Sequence, residues 1–259
     1  MKNYLSDLFK LKGKTAAVIG GGGHLCSQMA ISLAAAGVNI AVLDKDKKAA
    51  DSTADKIKKT NQNVISLELD VVDKDMHKKI LERITARFTK VDILINGAGI
   101  NAPTSFLEIS LEEWRSILDV QLTGTFLGCQ VFGEHMLKNK NGSIINISSA
   151  SAGPPLSKAF TYSVAKAGVK NLTQNLAREW ATKGVRVNAL RPGFFPTQWS
   201  RDNFITPERE KTILNHTAMK RYGEPVELVG AVLWLCSEAA SFVTGAEIAV
   251  DGGFSCMTI

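Results

Sequence analysis

The chain has no stretch of the roughly 20 consecutive apolar residues that a membrane-spanning helix requires, so no membrane role is expected. Cysteine is scarce. Cys26, Cys129, Cys236 and Cys256 stand far apart without Cys-x-x-Cys spacing, which argues against a disulfide framework and a zinc or other metal site. There is no repeat, low-complexity tract or linker. The first residues lack the continuous apolar core of a signal peptide, and a reducing cytoplasm is the simplest location. The chain also lacks a block of one charge. Its 31 basic and 25 acidic residues leave a formal charge of +6, but Lys45, Lys47, Lys48, Lys56, Lys58, Lys59, Lys78 and Lys79 are scattered as solvated helix faces would be. With no recognised reading motif beside them, nucleic acid is not an expected partner. A mild preference for small anions is.

What is present is an alternation. Apolar runs at 15–20, 38–43, 64–69, 91–96, 143–147, 185–190 and 247–250 are separated by amphipathic stretches. One such stretch has Ala165, Val169, Leu172, Leu176 and Trp180 on a single stripe. Continuous Val/Ile/Leu runs suit strands covered by helices on both faces. The pattern predicts an α/β fold: a doubly wound parallel sheet flanked by helices, as one domain over 1–259. In such sheets ligands bind beyond the carboxyl ends of the strands. Gly20–Gly23, Asp44, Asp70, Asn96–Gly99, Ser149 and Pro192–Gly193 all fall just past predicted strand ends.

Two of these groups suggest chemistry. Gly20, Gly21, Gly22 and Gly23 follow the first strand and open a helix, where a glycine turn lets backbone approach a pyrophosphate. Asp44, after the second strand, is suited to bond the ribose hydroxyls of NAD and to repel the extra phosphate of NADP, although Lys45 beside it favours a phosphate and Asp44 would equally cap a helix. NAD is therefore expected ahead of NADP. The second group is a proton-transfer trio. Tyr162 and Lys166 are four apart, on one helical face, and Ser149 lies thirteen residues before the tyrosine. A free tyrosine has a pKa of about 10, and a neighbouring ammonium favours its phenolate. A serine alongside would hold a carbonyl or alcohol oxygen in line with the same proton.

These residues, with Asp70-Val71, Asn96-Gly97-Ala98-Gly99, Thr197, Val243-Thr244-Gly245 and Asp251-Gly252-Gly253, make the chain resemble the short-chain dehydrogenase/reductase family over nearly its whole length. The resemblance implies a doubly wound Rossmann fold with a seven-stranded parallel sheet, and a homotetramer. It implies Ser149 and Tyr162 on the substrate oxygen, Tyr162 as general acid/base and Lys166 as the group that lowers its pKa and binds the nicotinamide ribose. It places Gly20, Gly22, Gly23, His24, Leu25, Asp44, Asp70, Val71, Asn96, Ala98, Gly99, Pro192, Gly193, Phe195 and Thr197 around the cofactor. Three departures stand out. His24 and Cys26 replace glycines of the usual turn, Gly97 replaces an asparagine, and Gln121 occupies the position of a fourth catalytic residue that is normally asparagine.

Within the family the chain is similar to the mannonate oxidoreductase (fructuronate reductase) and gluconate 5-dehydrogenase-like branch. The similarity lies in Leu25-Cys26, Pro155-Leu156-Ser157-Lys158, Pro192-Gly193-Phe194-Phe195 and His216-Thr217-Ala218-Met219. It implies an anionic sugar-acid substrate and a cation facing it. Lys158 and Arg201 are the candidates, and His216 is a candidate for the substrate hydroxyls, weighed against a helix-surface or packing role. A substrate lid is expected at about 197–216, shaped by Phe194, Phe195, Trp199 and Phe204. The alternatives are a reductase of 3-oxoacyl thioesters, neutral polyols or cyclic alcohols, and a non-catalytic NAD-binding sensor.

Overall fold

The apolar runs become strands because almost every residue in them is buried between two helical layers. A computed structural model describes residues 4–60, 63–154 and 156–257, apart from the side chains of Trp199 and Asn203. Pro155 and the Trp199 side chain, both singled out above, lie outside the described residues. The strands β1 (Thr15–Ile19), β2 (Asn39–Asp44), β3 (Val64–Glu68), β4 (Ile93–Asn96), β5 (Gly142–Ile147), β6 (Val185–Pro192) and β7 (Glu247–Val250) form one sheet in the order β3-β2-β1-β4-β5-β6-β7. All its pairings are parallel.

Side chains alternate across this sheet, as a strand's period of two demands. Ala16 and Val18 face α2 (His24–Ala35), α3 (Lys47–Lys58) and α10 (Val229–Cys236), joining a core with Leu33, Ile57 and Leu235. Ala17 and Ile19 face α4 (Lys74–Phe88), α6 (Gly124–Lys138) and α7 (Phe160–Trp180), joining Ile84, Phe132 and Trp180. Each fully buried large side chain contributes about 1.5–3 kcal/mol, so the two cores together fix the sheet against its helices. Short α1 (Tyr4–Leu8) precedes the sheet. A helical stretch runs from α5 (Leu111–Leu118) through a widened π turn (Asp119–Thr123) into α6, and α8 (Gln198–Phe204) and α9 (Pro207–Asn215) follow β6. Among the described residues no helix is long and apolar enough to cross a membrane.

Chain order runs outward from β1 to β3 on one side and from β4 to β7 on the other. The crevice where it reverses, at the carboxyl ends of β1 and β4, is where this architecture places a ligand.

Candidate active site

The turn after β1 is held by the neighbouring strand: Gly20 and Gly21 donate their N–H groups to the Leu43 carbonyl at 2.8 and 3.0 Å. Gly22 donates to Asp44 Oδ2 at 2.9 Å, and the Asp46 N–H meets Asp44 Oδ1 at 3.0 Å, so both carboxylate oxygens are fixed. Asp46, not Asp44, caps α3, accepting from Lys48 and Ala49. Asp44 is thereby left at the mouth of a cavity of about 460 Å³ with Gly20, Gly22, Gly23, Asp70, Val71, Ala98 and Gly99. A Cβ on Gly22 would stand 2.6 Å from the Ala49 Cβ, so the turn can lie this close to α3 only as glycine. Gly23 caps α2 without a side chain, leaving the first N–H groups of that helix available to a phosphate. A nicotinamide dinucleotide fits this donor set. Lys45 is bound to Asp70 at 2.7 Å, which also holds the Asp70 carboxyl below its ordinary range.

His24, Leu25, Asn96, Pro192 and Thr197, all expected around the cofactor, are not among the residues lining this cavity. His24 is an exposed first residue of α2, and Leu25 packs against the core; neither side chain lines the cavity. Asn96 is buried and turned inward, donating to Asn146 Oδ1 at 2.8 Å, because its strand position faces α6. Pro192 is paired within the sheet, opposite Val250, and Thr197 caps α8 by accepting from Ser200 at 3.0 Å.

The trio is brought together by β5, the short turn after it and α7. Ser149 Oγ accepts from the Ser151 N–H at 3.2 Å and from its hydroxyl at 3.1 Å. Lys166, one helical turn beyond Tyr162, is buried and donates to the Ile147 carbonyl at 2.6 Å; its Nζ lies 5.5 Å from the centre of the tyrosine ring. Burial pushes the Tyr162 pKa up from 10.0, with hydrogen bonding to Ser149 working the other way. Burial opposes the expected lowering, and the tyrosine is held as a phenol. Burial also pushes Lys166 down to about 8, against the pull of the nearby Cys26 thiol.

Ser149 and Tyr162 open into a second cavity, of about 260 Å³, walled by Gly193, Phe194, Phe195, Phe204 and Arg209. The two cations expected there lie elsewhere. Lys158 is exposed, with φ 59°, and Arg201 pairs with Glu210 at 3.8 Å and sits 5.1 Å over the Tyr222 ring. His216 stacks edge-on to Phe254 at 4.7 Å beside a neighbouring cavity. Gln121 is fully buried in the π turn; its Nε2 donates to the Ile100 carbonyl at 2.7 Å, and its Oε1 has no partner among the described residues.

The sequence model of a family described as Enoyl-(Acyl carrier protein) reductase matches residues 25–255. A Bacillus subtilis (strain 168) protein called Uncharacterized oxidoreductase UxuB is 38% identical over 265 residues, 94% of this chain and 95% of that one. The chain belongs to the short-chain dehydrogenase/reductase family. It is accordingly an oxidoreductase that uses a nicotinamide cofactor. The solved structure of a gluconate 5-dehydrogenase from Burkholderia cenocepacia J2315 in complex with NADP and tartrate is 29% identical, with a TM-score of 0.93 over 98% of this chain and 100% of that one. A second, from Haemophilus influenza and provisionally named a D-Mannonate oxidoreductase, has bound NAD; it is 34% identical, with a TM-score of 0.90 over 96% of this chain and 97% of that one.

Against the short-chain dehydrogenase/reductase pattern, two of the departures prove to be one. The Cys26 thiol is buried, and a Cβ on Gly97 would lie 2.2 Å from its sulfur. Cysteine on α2 thus fills the space beside residue 97. Neither substitution intrudes on the dinucleotide cavity through its side chain. Arg209 is the lining residue that sequence reasoning missed. It carries the same charge as Lys158 and Arg201, and nothing in the order of residues marks it as the cation that α9 directs inward.

Proposed function

We propose that the chain interconverts the ketone and secondary alcohol of a small sugar acid, of the fructuronate/mannonate or 5-ketogluconate/gluconate type, with NAD(H) preferred to NADP(H). The observation that carries this is the pairing of Ser149 and Tyr162 on one cavity of about 260 Å³ that has no carboxylate among its described lining residues. That volume lies below the usual range of about 300–1,000 Å³ for drug-sized ligands, which suits a six-carbon substrate better than an acyl chain on a carrier. The names of the gluconate and mannonate relatives support the same class.

When bound, the nicotinamide supplies or accepts the hydride. The protein's own groups do the rest. Ser149 holds the substrate oxygen in hydrogen-bond reach of Tyr162. In ketone reduction Tyr162, kept as a phenol by burial, donates its proton to that oxygen; in the reverse direction its phenolate takes the alcohol proton. Lys166 keeps a positive charge beside the ring as the proton leaves. The apolar walls, Phe194, Phe195 and Phe204, exclude water. Asp44, with both oxygens engaged by backbone N–H groups, favours ribose hydroxyls over a phosphate, and Lys45 is occupied by Asp70.

Tyr162→Phe tests the assignment. It should lower turnover about 10²–10⁴-fold, the usual worth of a positioned acid/base, while NADH binding followed by fluorescence is unchanged. Turnover within a few-fold of the parent with any sugar acid would remove Tyr162 from the proton path.

A further inference from the structure

We infer that Arg209 fixes the substrate's carboxylate and so selects a sugar acid over the matching uncharged sugar; this rests on the ketone/alcohol chemistry proposed above for the same cavity. Four observations lead to it. First, of the described residues lining the cavity that holds Ser149 and Tyr162, Arg209 alone carries a charge. An anion entering there meets one cation and no carboxylate. Second, the guanidinium is half used. Its Nη2 donates to the Ser157 carbonyl at 2.8 Å, which tethers it to the loop before Tyr162, while its buried Nη1 has no acceptor among the described residues. A buried donor without an acceptor is unfavourable, and a carboxylate oxygen is the partner that satisfies it most strongly.

Third, the other cations of this region are occupied or outside. Arg201 is paired with Glu210 and lies over Tyr222, and Lys158 is exposed. Burial pushes the Arg209 pKa below the ordinary guanidinium range, as expected of a cation lacking a carboxylate partner. Fourth, much of the remaining wall is apolar, from Leu156, Phe194, Phe204 and Ile205, and its other polar side chains, Asn101, Ser151 and Ser200, are uncharged. A ligand held there is therefore oriented by its two polar ends: the reacting oxygen at Ser149 and Tyr162, and the acid at Arg209. The first turn of α9 supplies the placement, because Thr206 caps that helix through the Arg209 N–H at 3.3 Å. Arg209 also borders a second cavity of about 380 Å³ with Thr212 and His216, so a carboxylate held from that far side is the competing geometry.

The test is steady-state reduction by NADH of fructuronate and 5-ketogluconate against uncharged fructose and sorbose, in the parent, Arg209→Met and Arg209→Lys. Losing a charge-assisted hydrogen bond should raise KM for the acids about 10–100-fold in Arg209→Met. Activity on the uncharged ketoses should change less than about threefold, and Arg209→Lys should fall between, since it keeps the charge but not the fork. Retained ketose turnover and NADH binding show that a variant is folded. Equal losses on acids and ketoses, or an unchanged KM for the acids, would overturn the inference, the latter also covering a carboxylate bound beyond the lid. A parent enzyme that prefers the uncharged ketoses would instead overturn the sugar-acid reading itself. A parent that prefers the acids, with the preference surviving in Arg209→Met, overturns only the role of Arg209.

Discussion

Cys26 and Gly97 illustrate how two apparent defects in a motif become one packing solution. In sequence they read as a lost glycine in the cofactor turn and a lost asparagine after β4. In space the Cys26 sulfur occupies what would be the first side-chain atom of residue 97. Interiors are close-packed, so a change at one position constrains the other. Gly97→Asn should therefore destabilise the chain by about 1–3 kcal/mol or more, the range of overpacking. Cys26→Gly should itself cost up to about 1 kcal/mol as a glycine in a helix, plus the lost burial of the thiol. Combined, the two should recover much of the loss, with a coupling energy within about 0.5–3 kcal/mol in a denaturant double-mutant cycle. Simple additivity would mean that the two positions do not answer each other.

At the scale of elements, the strands were legible because a parallel strand buried on both faces is a continuous apolar run; the expected boundaries at 64–69 and 185–190 differ from β3 and β6 by one and two residues. The glycine turn, Asp44 and the Ser149–Tyr162–Lys166 spacing were legible too, since each sits at a strand end or on one helical face. The lid was not. Lys158, Arg201 and Arg209 are alike as letters, and only the placement of α8 and α9 after β6 decides which faces the cavity. Nor could spacing foretell that the carbonyl closing β5 would take the Lys166 ammonium from across the gap to α7. That contact between elements has a pH consequence. With its folded pKa near 8, below the ordinary 10.5, Lys166 is an ammonium below pH 8 and loses its charge as pH rises through 8. The kcat/KM for NADH, which reports groups of the free enzyme, should fall across that window. Lys166→Arg, whose group stays charged, should lack this limb at whatever rate it retains. A flat profile from pH 7 to 9 in the parent would detach Lys166 from the proton path.

Over the whole molecule, titration of buried groups sets the limits within which this site survives. In the apolar segment 228–236, Leu228, Val232, Leu235 and Cys236 lie beneath the first face of the sheet. Burial pushes the thiols of Cys26, Cys129 and Cys236 up to about 12 from 9.0. Above pH 9 the unfolded chain releases these protons while the folded chain retains them, so the unfolded state binds fewer protons and stability falls with pH, by about 1.4 kcal/mol per pH unit for each thiol. Tyr162, also raised, acts in the same sense above pH 10. Lys166 acts in the opposite sense between about 8 and 10.5, because there the unfolded lysine holds a proton that the folded one has lost. Three thiols against one lysine leave a net decline of roughly 3 kcal/mol per pH unit between pH 9 and 10.5. Urea unfolding at steps across that window should show the midpoint dropping steadily, and Cys236→Ala should make the decline shallower by about half, whatever its effect on stability at pH 8. A midpoint that holds level from pH 9 to 10.5 would mean that the thiols are not kept protonated by the fold.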